Sequence, residues 1–206
     1  IAGYSGVAWL FQYYVNQNLL DYDSDFFSFF DDAIMSQCKK DKMIGRYDLF
    51  YGIIGYGSYF LQRSKFDKQG MNKYLNEIVQ ILDDMSIEDN NGLYWFSDMF
   101  SDEKNKINIG MAHGLPSIIS FLTKVYAINK NSRAREMLIR SSNWLLKCKS
   151  NNIDSPSIFP YLVDKFNPKS NVSNSTRLAW CYGDLTIGYA IFMLGNTIKE
   201  EYFTNE

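Results

Sequence analysis

Apolar residues fall along this chain in two kinds of run. In the first, aliphatic and aromatic residues fill most positions and charged ones are rare: 1–20, 48–61, 118–128 and 185–194. In the second, they recur every three or four residues among polar ones: 26–39, 72–85 and 133–148. Both are helical patterns. A helix that is apolar all round is buried on all sides, whereas an amphipathic one keeps a wet face. The two kinds alternate, which predicts helical hairpins with one buried and one outward member. Ser24 or Asp25 is the expected cap of the second helix and Ser132 of the 133–148 helix, with Lys39 and Lys40 at a C-terminal end that favours cations. No run of alternating β-branched residues argues for a sheet. Two long polar loops remain, 86–108 with the aromatic knot Leu93-Tyr94-Trp95-Phe96, and 150–176. Loops of that length are often functional, and both are candidates to face a substrate.

The helices repeat. Each apolar run opens at a small-residue turn, and Gly3, Gly52, Gly114 and Gly183 can be superposed, followed by Gly6, Gly55, Ser117 and Thr186. The spacing grows from roughly 50 to roughly 70 residues as the connections lengthen, starting within the range of helical-hairpin repeats. The fold expected is all-α: an α/α toroid, a double ring of helical hairpins, of which 1–206 forms a partial barrel domain. In such a ring every inner helix starts at the same end. The residues beside the four glycines then converge on one mouth.

Those residues carry chemistry. They are Asp48, His113, Arg177, Cys181 and Tyr182. Cys181 lies in Arg177-Leu-Ala-Trp-Cys-Tyr-Gly-Asp184, just before an apolar helix, where a helix N-terminus and a guanidinium both favour a thiolate. His113 is the single histidine of the chain. Each residue also has a structural reading. Asp48 suits a helix N-cap, His113 a turn beside Gly114, Trp180 and Tyr182 packing, and Cys181 an inert buried thiol. Their conjunction at equivalent repeat positions favours a site.

Charge and composition remove some function classes. The net charge is -2 with no long basic run, so there is no footprint for nucleic acid. Three widely spaced cysteines give no disulfide framework and fit a reducing, cytoplasmic compartment. No apolar stretch is long enough to span a bilayer, and the residues from Ile1 onward do not show the charged-then-apolar pattern of a secretory signal, so none is expected. The chain starts without Met inside structured sequence, so residues are expected before Ile1.

Ala112-His113-Gly114, Trp180-Cys181-Tyr182-Gly183 with the preceding arginine, and the Gly-x-x-Gly helix openings together resemble the lanthionine synthetase C-like family, the lanthipeptide cyclases. The resemblance runs along the whole chain and covers about four of that family's seven hairpin repeats. It implies a zinc-dependent intramolecular addition of peptide cysteine thiols to dehydroalanine or dehydrobutyrine, forming thioether rings in a dehydrated precursor peptide, with a dehydratase as candidate partner. Carried over by residue, Cys181 matches a zinc-binding cysteine and His113 the histidine assigned to proton transfer. Asp48, Arg177 and Tyr182 match further residues tied to activity. The family's remaining zinc ligands, an adjacent Cys-His pair in a later repeat, have no counterpart in this sequence. The expectation is therefore the N-terminal part of a longer cyclase, inactive alone. Two other readings compete: a catalytically silent peptide- or thiol-binding scaffold of the same fold, and a carbohydrate-active α/α barrel using Asp48 and Asp184 as its paired carboxylates.

Overall fold

A computed structural model describes residues 3–96, 105–150, 154–165 and 179–205. The chain forms two compact units, Ile1–Asp84 and Met85–Glu206.

The first unit is built from α1 (Tyr4–Asn16), α2 (Ser24–Met43), α3 (Ile53–Arg63) and α4 (Lys68–Met85). α1 packs on α2 and α3, and α2 on α3. The amphipathic face of α4 buries Met71, Leu75, Ile78, Val79, Ile81 and Leu82. The second unit holds β1 (Ile87–Asp89), β2 (Gly92–Tyr94), β3 (Lys106–Asn108), α5 (Leu115–Asn129), α6 (Ser132–Leu146), β4 (Leu162–Asp164), α7 (Asp184–Ile198) and the one-turn α8 (Glu201–Thr204). α5 packs on both α6 and α7, and α6 also covers β2.

The four glycines of the repeat are the N-cap residues of α1, α3, α5 and α7. Gly52 and Gly114 share one extended conformation, with φ of -132° and -130°. The reason for glycine there is close approach. A Cβ on Gly52 would stand 2.6 Å from the Arg46 carbonyl oxygen, and one on Gly114 would overlap that of Asn108. The small residue three positions on is equivalent in the later repeats too. The Ser117 hydroxyl donates to the Gly114 carbonyl at 2.7 Å and the Thr186 hydroxyl to that of Gly183 at 3.1 Å.

Several expectations are corrected. Asp23, not Ser24 or Asp25, caps α2 by accepting from the Asp25 and Phe26 N–H groups. Asn131, not Ser132, caps α6 through the Ala134 N–H. α4 starts four residues before Asn72, because polar residues continue its first turn. Two small antiparallel pairs exist, β1 with β2 and β3 with β4. Each strand has three residues, too few to leave an alternating signature. The Leu93–Trp95 knot points inward: Leu93, Tyr94 and Trp95 are buried, and Tyr94 stacks on Trp144 at 5.0 Å. It is core, not a substrate-facing loop. All-round burial holds for α3 over most of its length. α1 and α7 each keep an open apolar face, with Tyr4 and Val7 exposed on one and Leu185, Tyr189 and Phe192 on the other.

A buried polar network ties the first unit together. Arg63 forms an ion pair with Asp31 at 2.9 Å, donates to Gln12 Oε1 at 3.0 Å, and lies over the Phe27 ring at 4.8 Å. The Tyr59 hydroxyl donates to the same Asp31 carboxylate at 2.7 Å. This joins α1, α2 and α3 through one satisfied charge pair. Arg63→Met strands the Asp31 carboxylate in the core and should cost roughly 3–5 kcal/mol. Denaturant unfolding of the variant checks this, and adding Asp31→Asn should recover part of the loss.

Candidate functional site

The α5 N-terminal turn is shaped before it reaches the histidine. β3 pairs with β4 so that Asn108 stands opposite Leu162, and the Ile109 N–H extends the ladder to the Tyr161 carbonyl at 3.0 Å. The Asn108 Oδ1 then accepts from the Gly110 N–H at 2.8 Å, and the Gly114 N–H donates back to the Gly110 carbonyl at 2.9 Å. The chain is folded into a tight knuckle that presents His113 directly before the helix.

The segment entering α7 is docked on that knuckle. The Ala112 N–H donates to the Cys181 carbonyl at 3.4 Å. The Tyr182 ring lies so close over Gly110 that a Cβ there would overlap it. Tyr161 meets that ring edge-on at 5.7 Å, and the Asn108 amide donates to the Tyr182 hydroxyl oxygen at 3.1 Å. His113 therefore follows a residue bonded to Cys181, and Tyr182 follows Cys181. These three lie on one patch of the second unit. Cys181 is exposed, whereas Tyr182 and His113 are half-buried. Cys181 stands two residues before the Gly183 N-cap, ahead of the first turn of α7.

The other named residues have these places. Asp48 is fully buried in the first unit, and its Oδ1 accepts from the Phe50 and Tyr51 N–H groups at 2.8 and 2.9 Å. It shapes the turn into α3, although the N-cap itself is Gly52. Arg177 lies outside the described residues. Asp184 opens α7 and accepts from the Ile158 and Phe159 N–H groups at 2.8 and 2.9 Å. Both its oxygens thus hold the Ile158–Phe159 segment. Asn108 is a residue that the sequence pattern did not single out. Its signal was the Asn-x-Gly spacing, an Asx turn.

Burial separates the three thiols. Burial pushes the Cys38 and Cys148 thiols far up from their ordinary range, with the Asp41 and Asp89 carboxylates adding to it. Both stay protonated and inert at neutral pH. Burial also raises the Tyr182 phenol, against a lowering by the Asn108 hydrogen bond, so Tyr182 remains a neutral donor. Cys181 is the exposed thiol of the three. Among the described residues, however, no three His, Cys, Asp or Glu side chains gather to hold an ion. A catalytic zinc takes three protein ligands. The described residues thus do not by themselves fit a zinc.

Helices that start at glycine and alternate with amphipathic ones define an α/α hairpin protein, and in its second unit a histidine and an exposed cysteine precede two of those starts. The lanthionine synthetase C-like protein family model matches residues 1–206, and the chain belongs to that family. Among solved structures it is similar to nisin cyclase, at 18% identity and a TM-score of 0.61. That likeness covers 98% of this chain and 54% of the other, so the chain spans about half the length of nisin cyclase. It carries the fold class, all-α of the α/α toroid kind. No curated protein matches the sequence. No helix among the described residues is long and apolar enough to cross a membrane.

Alkylation of the metal-free native protein should label Cys181 rapidly and leave Cys38 and Cys148 untouched until denaturant is added. Peptide mapping of the labelled sites checks this. Gly110→Ala should displace Tyr182 and lower stability, read as a fall in the thermal midpoint.

Proposed function

We propose that the protein is a lanthipeptide cyclase that closes thioether rings in a dehydrated precursor peptide. The observation that supports this reading is the Ala112–Cys181 backbone bond, which ties the residue before the single histidine to the backbone of an exposed cysteine in a chain of this family. In the reaction, a substrate cysteine sulfur bonds to Cβ of dehydroalanine or dehydrobutyrine. The alkene π electrons move toward the carbonyl as an enolate, and a proton returns to Cα. Zinc bound with Cys181 as one ligand would supply the substrate sulfur as thiolate, its other ligands coming from beyond the described residues.

The chain's own residues do the rest. His113 delivers the proton to Cα, a task suited to an imidazole whose ordinary pKa lies near neutrality. Tyr182, a neutral phenol, donates to the developing enolate oxygen. Arg177 is assigned to the same oxygen or to the peptide. Asp48 is assigned to the activity by the resemblance. A dehydration reaction must supply the alkene, so a dehydratase is the proposed partner. The carbohydrate reading loses support, because Asp184 is committed to the backbone.

The test uses the full-length protein and a dehydrated precursor peptide. Ring closure leaves the mass unchanged, so it is read as loss of alkylatable thiols. The wild type should consume them, and His113→Asn should slow this by roughly a hundredfold or more. Thiols that persist with the wild type, with metal supplied, would sink the proposal.

A further inference from the structure

We infer that Asn108 is the positioning residue that holds Tyr182 as a hydrogen-bond donor toward substrate, an inference that rests on the cyclase reading for what Tyr182 does. The argument is one of direction. A backbone N–H can only donate, so the Asn108 atom bonded to Gly110 at 2.8 Å is the carbonyl Oδ1. The amide nitrogen therefore faces Tyr182, and an amide NH2 can only donate. The 3.1 Å contact is then Asn108 giving and the phenol oxygen accepting. A phenol has one proton, and it is left for a second partner.

Geometry makes this polarity hard to reverse. Asn108 is buried, at 3% exposure, and lies in β3 opposite Leu162. Its carbonyl oxygen sits under Gly114, where no Cβ fits. The Tyr182 ring is pinned by Gly110 below and Tyr161 at its edge. The side chain cannot flip without losing the Gly110 bond, and the ring cannot swing away without leaving Gly110 and Tyr161. Asn108 thus links the turn that carries His113 to the hydroxyl that follows Cys181. Both groups proposed to handle the enolate, the proton carrier and the oxygen donor, are set by one amide.

Asn108→Asp separates this role from a structural one. The carboxylate keeps an oxygen for the Gly110 N–H, so the turn stands. Its other oxygen accepts, so the Tyr182 proton turns inward and is withdrawn from substrate. In the full-length protein, Asn108→Asp should lower kcat about as far as Tyr182→Phe does, roughly ten- to a hundredfold, with KM changed less than about threefold. The double variant should be no slower than Tyr182→Phe alone. A wild-type kcat in Asn108→Asp, or effects that multiply in the double variant, would overturn the inference. A second readout needs no turnover. The side-chain 15N amide resonances of Asn108, assigned in the wild type by through-bond correlation to its own backbone, should shift in Tyr182→Phe. Unmoved resonances would overturn the contact itself, whereas shifted ones uphold it. This readout decides even if the Asn108→Asp variant is poorly folded. If the wild type consumes no thiols, it is the cyclase reading that falls, and the amide resonances still decide the contact.

Discussion

The close approach of backbone to backbone at the starts of α3 and α5 is the constraint on which the rest depends. At Gly52 and Gly114 the incoming chain folds back until its carbonyls lie against the N-cap, with no room for a side chain. The consequence at α3 is visible in the hydrogen bonds. The Ile53, Ile54 and Gly55 N–H groups find the carbonyls of Arg46, Tyr47 and Asp48. The first N–H groups of a helix ordinarily lack partners. Here the preceding segment serves as their cap, and so its side chains are delivered to the helix N-terminus at a fixed register.

Much of this was legible because it has a periodic or a compositional signature. The four glycines recur, and all four are N-caps. Apolar and amphipathic helices alternate as their patterns demand. What escaped reading has no such signature. β3 and β4 lie more than fifty residues apart in sequence and contribute three residues each, yet their pairing sets the height of Asn108. Trp95 reads as a loop aromatic until β2 is found packed on α6. Asp184 carries the right charge at the right repeat position for a cleft carboxylate. Only coordinates reveal that two backbone N–H groups already occupy it.

The same reasoning explains why the histidine and cysteine motifs could be paired from sequence while Asn108 could not. His113 and Cys181 are rare, reactive residue types, and rarity draws attention. Asn is common and polar, and an Asn two residues before a glycine reads as turn chemistry. That reading is correct but incomplete, since an Asx turn uses only the oxygen of the amide. The unused NH2 group is left pointing outward, and a buried donor must find a partner. In this fold the partner is Tyr182.

Exposure at Cys181 and burial at its neighbours are compatible for a physical reason. A thiol that is to meet a metal or an alkylating group must be reachable, whereas the groups that shape its surroundings must be fixed. The structure divides these demands within two residues. The Cys181 carbonyl is held by Ala112, so the backbone is pinned while the residue stays exposed. Cys38 and Cys148 are the opposite case, sulfur used as a small apolar filler, with burial keeping the proton on. Equal residue types thus take unequal roles by where the backbone puts them. The glycine-capped helix starts are the part of this fold that can anchor a reachable side chain to a rigid base.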